Sequence, residues 1–287
     1  MYSAKRRGKA HFEVYDDSMH LALLRRFELL GDLRAAVDHG EFFIQYQPTV
    51  DLRTNEIRGL EALLRWQHPR HGVVMPDDFI SLAEESGVIV SLGRWVLQEA
   101  CRQMSQWRLE APGLEDASIA VNVSVHQLLD ARFVGDVEKI LQESGLEPSR
   151  LTLEITESIT LHPGDATMLV LTQLKELGVR LAIDDFGMGA SSFSYLQRFP
   201  FDIVKIDKSF VQHEDGNGAV REVARKVIEL GKALNLEVVA EGIEEDSQLA
   251  ELRGMDCEIG QGYLFARPLD PDQVTAQFRR RRERPAA

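Results

Sequence analysis

The sequence has little cysteine: Cys101 and Cys257 are the only two, and they stand far apart. That excludes a disulfide scaffold and a cysteine-built zinc site, and both read as buried, reduced thiols. Long apolar runs are missing too, with none near the ~20 residues that span a bilayer. The basic N-terminus MYSAKRRGKAHFEVYDD has no apolar core behind it, so it does not read as a signal peptide. The expectation is a cytoplasmic chain without membrane contact of its own. Positive charge is in deficit, with 33 Lys and Arg against 46 Asp and Glu, a formal net charge of -13. This weighs against a nucleic-acid polymer as partner, which calls for a basic face. Most of the acidic excess reads as solvated surface. No GxGxxG follows the first strand-like run, and no P-loop or G-x-S-x-G occurs. Among the histidines, His68 and His71 flank a Pro–Arg turn and read as loop residues rather than ligands.

What is present is a regular alternation. The composition, 44% hydrophobic and 28% charged, suits one large α/β domain with a short appendage. Strand-like runs fall at 42–49, 57–64, 118–123, 151–155, 180–184, 203–206, 237–240 and 258–260. Amphipathic helical stretches lie between later ones, as at 90–108, 164–177 and 219–234. Such alternation implies parallel strands with right-handed crossovers, and this many strands in roughly 240 residues suggest a closed (β/α)8 barrel. The first two strands are joined only by DLRTNE, too short for a crossover helix. They should form an antiparallel hairpin, giving a modified (β/α)8 TIM-like barrel with an antiparallel first strand. An open doubly wound sheet is the alternative, but its phosphate-binding fingerprint is missing. The barrel is assigned to residues 40–272. Upstream, HFEVY reads as a short strand and 18–38 as one helix opened by Ser18, an appendage. Residues 273–287 read as the end of a helix and a frayed basic tail.

Residues at the C-terminal ends of barrel strands face the mouth where active sites are built. In order these are Glu61, Asn122, Glu154, the pair Asp184–Asp185, Lys205, Glu241 and Gln261. Each alone has a bland reading: Asp184 as a helix cap, Glu241 as surface. So many strands delivering polar side chains to one rim is harder to ascribe to chance. Crowded carboxylates repel unless a cation neutralises them. The donors are oxygens, with one lysine and no Cys or His, which favours Mg²⁺ or Mn²⁺ over Zn²⁺. Adjacent aspartates allow a carboxylate to bridge two cations ~3.5–4 Å apart, an arrangement suited to phosphoryl chemistry. The pattern points to metal-assisted hydrolysis of a phosphate ester. Gly187 and Gly189 mark a flexible loop beside the paired aspartates, either a plain turn or a lid.

From about residue 40 to 270 the chain resembles the EAL family of cyclic-di-GMP phosphodiesterases. The segments YQPTVDL, EALLRWQHP, NVSVHQL, LEITES, IDDFGMGASSFSYL, VKIDKSF, AEGIE and GQGYLFARP carry the resemblance, in order and spacing. It implies hydrolysis of cyclic-di-GMP to linear pGpG with two divalent cations. Glu61, Asn122, Glu154 and Asp184 would hold the first cation. Asp184 and Asp185, with Glu241 through water, would hold the second. Lys205 would position and polarise the attacking water, and Glu241 would act as general base. Arg65 matches a phosphate contact, Gln47 and Gln261 match positions near the ligand, and Glu157 matches the anchor of the loop after the fifth strand. Asp207 and Tyr263 match supports of the substrate site. The loop departs from the family pattern, with Met188 and Ala190 where Thr and Tyr are common. A catalytically silent cyclic-di-GMP receptor is the competing reading.

The N-terminal MYSAKRRGKAHFEVYDDSMH resembles the last helix and strand of a GGDEF domain. It implies that residues 1–17 are a remnant of such a domain and 18–39 a linker helix, within a longer GGDEF–EAL protein. Upstream domains could then tether the whole to a membrane. The family also implies a homodimer. The apolar cluster Phe193, Tyr195, Leu196, Phe199 and Phe201 fits an interface or ordinary barrel core equally.

Overall fold

The computed structural model describes residues 17–111, 113–157, 165–187, 196, 198–212 and 218–282. The strands are β1 (Phe42–Asp51), β2 (Ile57–His68), β3 (Gly72–Val74), β4 (Ser118–Val123), β5 (Leu151–Thr156), β6 (Arg180–Phe186), β7 (Ile203–Ile206), β8 (Glu237–Ala240) and β9 (Ile259–Gln261). They hydrogen-bond in the order β1-β9-β8-β7-β6-β5-β4-β2-β3, and a further β1–β2 pairing closes the barrel. β1 runs antiparallel to both neighbours, β2 and β9, while β4 to β9 pair in parallel. The expected modified barrel is the one observed.

Strand alternation explains the two layers. In β1, Phe42, Ile44, Tyr46 and Val50 are buried on one face. Gln47 and Thr49, on the other, stand opposite Glu61 and Gly59 of β2. The β1–β2 turn is shaped locally. Asp51 Oδ1 accepts from the backbone N–H of Arg53 and Thr54, and Asn55 adopts φ 60°.

The helices are α1 (Asp17–Asp38), α2 (Pro76–Ser86), α3 (Ile89–Glu110), α4 (Val125–Leu128), α5 (Phe133–Ser144), α6 (Asp165–Glu176), α7 (Gly218–Ala233), α8 (Asp246–Gly254) and α9 (Pro271–Arg282). Their apolar faces cover the outside of the barrel, and the main core lies in that interlayer. Leu92, Val96 and Cys101 of α3 are buried there, and Cys257 is buried as well; both cysteines are free thiols.

Several sequence expectations need correcting. β2 runs on to His68, and a short β3 pairs with its end. Trp66 holds the extension, packed against Phe42 and Phe79. His68 is therefore a strand residue and 1% exposed, not a loop residue. Its Nδ1 accepts from the N–H groups of Arg70 and His71, and its Nε2 lies 3.2 Å from Asp32. His71 Nε2 meets Glu28. The helix read as an appendage, α1, thus docks on the β2–β3 turn and buries Leu29, Leu33 and Ala36 in the core. The basic tail does not fray at its start, since α9 continues through Arg282. Pro at the first position, the buried Val274 and a Trp107–Thr275 hydrogen bond fix its first turns, and arginine is a good helix former. Leu196, Phe199 and Phe201 are buried, as core would be. Phe193, Tyr195, Met188, Ala190 and the HFEVY segment lie outside the described residues.

Candidate active site

Lys205 stands at the centre of a ring of strand-end carboxylates, 2% exposed. Its Nζ lies 2.7 Å from Glu154 Oε2, 2.7 Å from Glu241 Oε1, 3.4 Å from Asp184 Oδ1 and 3.6 Å from Glu61 Oε2. The strand ends expected to converge therefore do so. Burial alone would lower the ammonium's pKa, but the surrounding carboxylates outweigh it and hold Lys205 well above its ordinary value.

One ammonium does not balance this ring. Burial, then the Glu61 carboxylate, pushes Glu154 well above the usual carboxylate range in spite of Lys205. Burial pushes Glu241 up to about 8, with Asp184 and Glu61 adding to it and Lys205 opposing. Asp185 is raised by burial and by Asp184 and Asp207. Glu61 goes the other way. Burial opposes its charge, but Lys205 and hydrogen bonds from Gln261 and Asn122 hold it below the usual range.

Those two amides clamp Glu61. Asn122 Nδ2 donates to Oε1 at 2.7 Å and Gln261 Nε2 to Oε2 at 2.7 Å. Gln261 Nε2 also donates to Gln47 Oε1, and Gln47 Nε2 donates to the Ala266 carbonyl. With both its N–H donors engaged, Gln261 leaves a buried Oε1 without a protein partner. Such an oxygen calls for a donor such as water or a ligand N–H.

Asp184 and Asp185 are neighbours, and plain alternation would send them to opposite faces. The β6–β7 register shifts between Ile183 and Phe186, and Asp185 takes a left-handed φ of 54°. This bulge re-aims the second aspartate. Carboxylate oxygens of Asp184, Asp185 and Glu241 come within 4.8 Å of one another, a grouping able to hold a metal ion. The all-oxygen donors and raised carboxylates fit a hard divalent cation. Beside them, Gly187 N–H donates to Glu157 Oε2 at 2.9 Å, tying the loop's first residue to the end of β5.

A cavity of about 800 Å³ opens over this ring. Gln47, Glu61, Asn122, Asp184, Asp185, Glu241, Gln261 and Tyr263 line it. Arg267 stacks on the Tyr263 ring at 4.3 Å. Two expected substrate contacts are not among the lining residues. Arg65 is 5% exposed, its Nε donating to Gln45 and its NH1 to the Leu64 carbonyl. Asp207 accepts from Ser209 N–H as a local cap. The apolar wall, with Leu64, Ile80, Ile89, Leu92 and Val96, went unanticipated. Leu92 lies on the α3 face read as core, and periodicity cannot tell a residue facing a core from one facing a cavity.

A barrel with an acidic, cation-seeking mouth of this kind is the class that fold and site define. A family model described as "EAL domain" matches residues 30–268, and the chain belongs to that family. It is 41% identical over 276 residues to the bifunctional diguanylate cyclase/cyclic di-GMP phosphodiesterase MucR of Pseudomonas aeruginosa, covering 96% of this chain and 40% of that protein. It is 39% identical over 269 residues to the cyclic di-GMP phosphodiesterase PdeR of Escherichia coli, covering 94% and 40%. The chain thus spans well under half of each. A solved MucR phosphodiesterase in complex with c-di-GMP superposes with a TM-score of 0.82 at 42% identity, over 86% of this chain and 99% of that one.

The raised carboxylates have a measurable consequence. Folded protein retains protons on Glu154 and Glu241 that the unfolded chain has released, so this contribution to stability falls as pH climbs from 4.5 toward about 8. A divalent cation displaces those protons. Thermal melts at about pH 5.5 and about pH 8 should show Mg²⁺ raising the melting temperature more at the higher pH. An equal shift at both, or none, contradicts the assignment.

Proposed function

We propose that this chain hydrolyses one phosphodiester bond of cyclic-di-GMP to give linear pGpG, using two divalent cations, Mg²⁺ or Mn²⁺. The observation that carries the reading is the unbalanced ring of Glu61, Glu154, Asp184 and Glu241 around Lys205, of which Glu61, Asp184 and Glu241 line the mouth cavity. Membership of a family whose named relatives are cyclic di-GMP phosphodiesterases supports the choice of substrate. A cavity of about 800 Å³ lies within the ~300–1,000 Å³ range of small-molecule sites.

Glu61, Asn122, Glu154 and Asp184 would hold the first cation, and Asp184 and Asp185, with Glu241 through water, the second. Bound there, the cations supply Lewis acidity to a water and to the phosphoryl oxygens. The chain's own residues do the rest. The Asn122 and Gln261 amides hold Glu61 in one rotamer, so its position is set before ligand arrives. Lys205, fixed by Glu154 and Glu241, places its ammonium where it can orient water and meet negative charge on phosphate. Glu241 takes the water's proton as general base. The water oxygen bonds to phosphorus as the ester P–O bond breaks, and a proton passes to the departing ribose oxygen. Gln47 acts by holding Gln261, and Tyr263 and Arg267 form one flank of the substrate site. Arg65 reaches phosphate only after leaving Gln45. Asp207 supports the turn after β7, and Glu157 anchors the loop after β6.

Among the described residues no helix is long and apolar enough to cross a membrane. We place the chain in the cytoplasm, as the EAL portion of a GGDEF–EAL protein, with 1–17 the remnant, 18–39 the linker helix and 40–272 the barrel.

Turnover of cyclic-di-GMP with Mg²⁺ or Mn²⁺, followed by chromatography of pGpG, tests the reading. Glu61→Ala and Lys205→Ala should each lower kcat by at least about 100-fold. Nucleotide binding without turnover in the parent chain makes it a receptor instead. A homodimer is part of the proposal. Sedimentation should show a dimer with metal and nucleotide present, and a strict monomer at high concentration removes that part.

A further inference from the structure

The helix α2 turns three faces to three different neighbours, at about 100° of rotation per residue. Pro76, Asp77, Ile80, Ser81 and Glu84 form one stripe, and it walls the mouth cavity. Phe79, Leu82 and Ala83 form a second, buried in the core, where Phe79 packs on Phe42 and Trp66. Asp78 and Glu85, two turns apart, form the third, and α1 takes it. Arg25 Nη2 donates to Asp78 Oδ2 at 2.9 Å, and Arg26 Nη2 donates to the two Glu85 oxygens at 2.7 and 2.8 Å.

The same helix α1 holds the chain that leads into α2. Arg70 and His71 of the β2–β3 turn meet Glu28, and Arg70 and His68 meet Asp32. Leu29, Leu33 and Ala36 fix α1 itself in the core. It therefore grips the segment from His68 to Glu85 at its start, at the first turn of α2 and at the last. The entry to α2 needs such a grip, because Met75 at its N-cap offers no side-chain acceptor for the free N–H groups there.

Among the described residues, none of α1 lines the cavity. The carboxylate ring is carried apart from α2 as well. Glu61, Glu154, Asp184 and Lys205 stand on β2, β5, β6 and β7, each strand paired on both sides within the barrel. A shift of α2 thus reshapes the wall of the mouth and leaves the ring where it is.

We propose that α1 sets how tightly the mouth takes its nucleotide, by holding α2 against the cavity, and that Arg25 and Arg26 are positioning residues for the substrate. They act through Asp78 and Glu85 and touch no substrate themselves. A domain or partner that moves α1 changes KM and leaves kcat as it is. The identity of the nucleotide rests on the hydrolase reading, and the hold of α1 on α2 does not.

Charge swapping tests this. The four side chains are 44–60% exposed, so reversing them leaves the fold intact. Arg25→Glu/Arg26→Glu sets like charges opposite Asp78 and Glu85. KM for cyclic-di-GMP should rise at least about threefold, with kcat within about twofold of the parent. Adding Asp78→Arg and Glu85→Arg restores both pairs with their signs exchanged and should bring KM back. Hydrogen exchange supplies a readout without turnover. The double variant should exchange its α2 amides faster and those of β5 and β6 at the parent's rate. In the parent, cyclic-di-GMP kept in excess should slow exchange in α1, and the double variant should lose that response. An unchanged KM, a fall in kcat in its place, or no rescue by the swapped pairs overturns the positioning role. Unaltered α2 exchange overturns the grip itself. A parent that slows exchange with nucleotide but releases no pGpG removes the hydrolase reading alone.

Discussion

A single buried ammonium organises this protein. Lys205 sits on a central strand with Glu61, Glu154, Asp184 and Glu241 within 3.6 Å, each delivered by a different strand. A buried cation of this kind is tolerable only if carboxylates meet it, and removing one member of such a pair costs about 3–5 kcal/mol. The ring overshoots, however. Burial first, and the neighbouring carboxylates with it, leaves Glu154 and Glu241 with protons that their ordinary values would have shed. The protein thereby builds a demand for cations into its fold, and the mouth cavity above is where that demand can be met.

The architecture follows from placing these side chains. Running β1 backwards sets Gln47 opposite Glu61 and Thr49 opposite Gln261, so the amide chain Gln47–Gln261–Glu61 forms across the closure of the barrel. A parallel first strand would need a long crossover between β1 and β2, where only five residues, 52–56, are available. The bulge in β6 serves the same end, turning Asp185 toward its neighbour's side of the sheet. Gly262 shows how tightly the return from β9 packs, since a Cβ there would fall 2.0 Å from the Ile243 carbonyl oxygen.

Much of this was legible in the sequence, for reasons that can be named. The strands of the parallel part are apolar runs covered by helices, so each announces itself and the polar residue at its end stands out, as Glu154 after Leu151 and Leu153. The reversed direction of β1 was legible from the short DLRTNE turn. The β3 hairpin was not. GVV is too short to carry a period, and His68 reads as a turn residue because Pro69 follows it, although long-range bonds to α1 make it core. The docking of α1 was hidden for a related reason: its Arg25, Arg26, Glu28 and Asp32 look like a solvated face until their partners on α2 and the β2–β3 turn are seen. The direction of Arg65 was equally invisible, because its partner Gln45 lies twenty residues back on the neighbouring strand.

The same strands leave the lower lumen open, so the carboxylate ring is approached from two sides. The upper side is broad and partly apolar, the lower narrow and hydroxyl-lined. The account of the mouth depends on where cations settle. Crystals soaked in Mn²⁺ with nucleotide and measured for anomalous scattering test this directly. The account predicts two peaks about 3.5–4 Å apart, flanked by Asp184 and Asp185, with Glu61 and Asn122 at one of them. A single peak away from the paired aspartates, or none in the mouth, would contradict it.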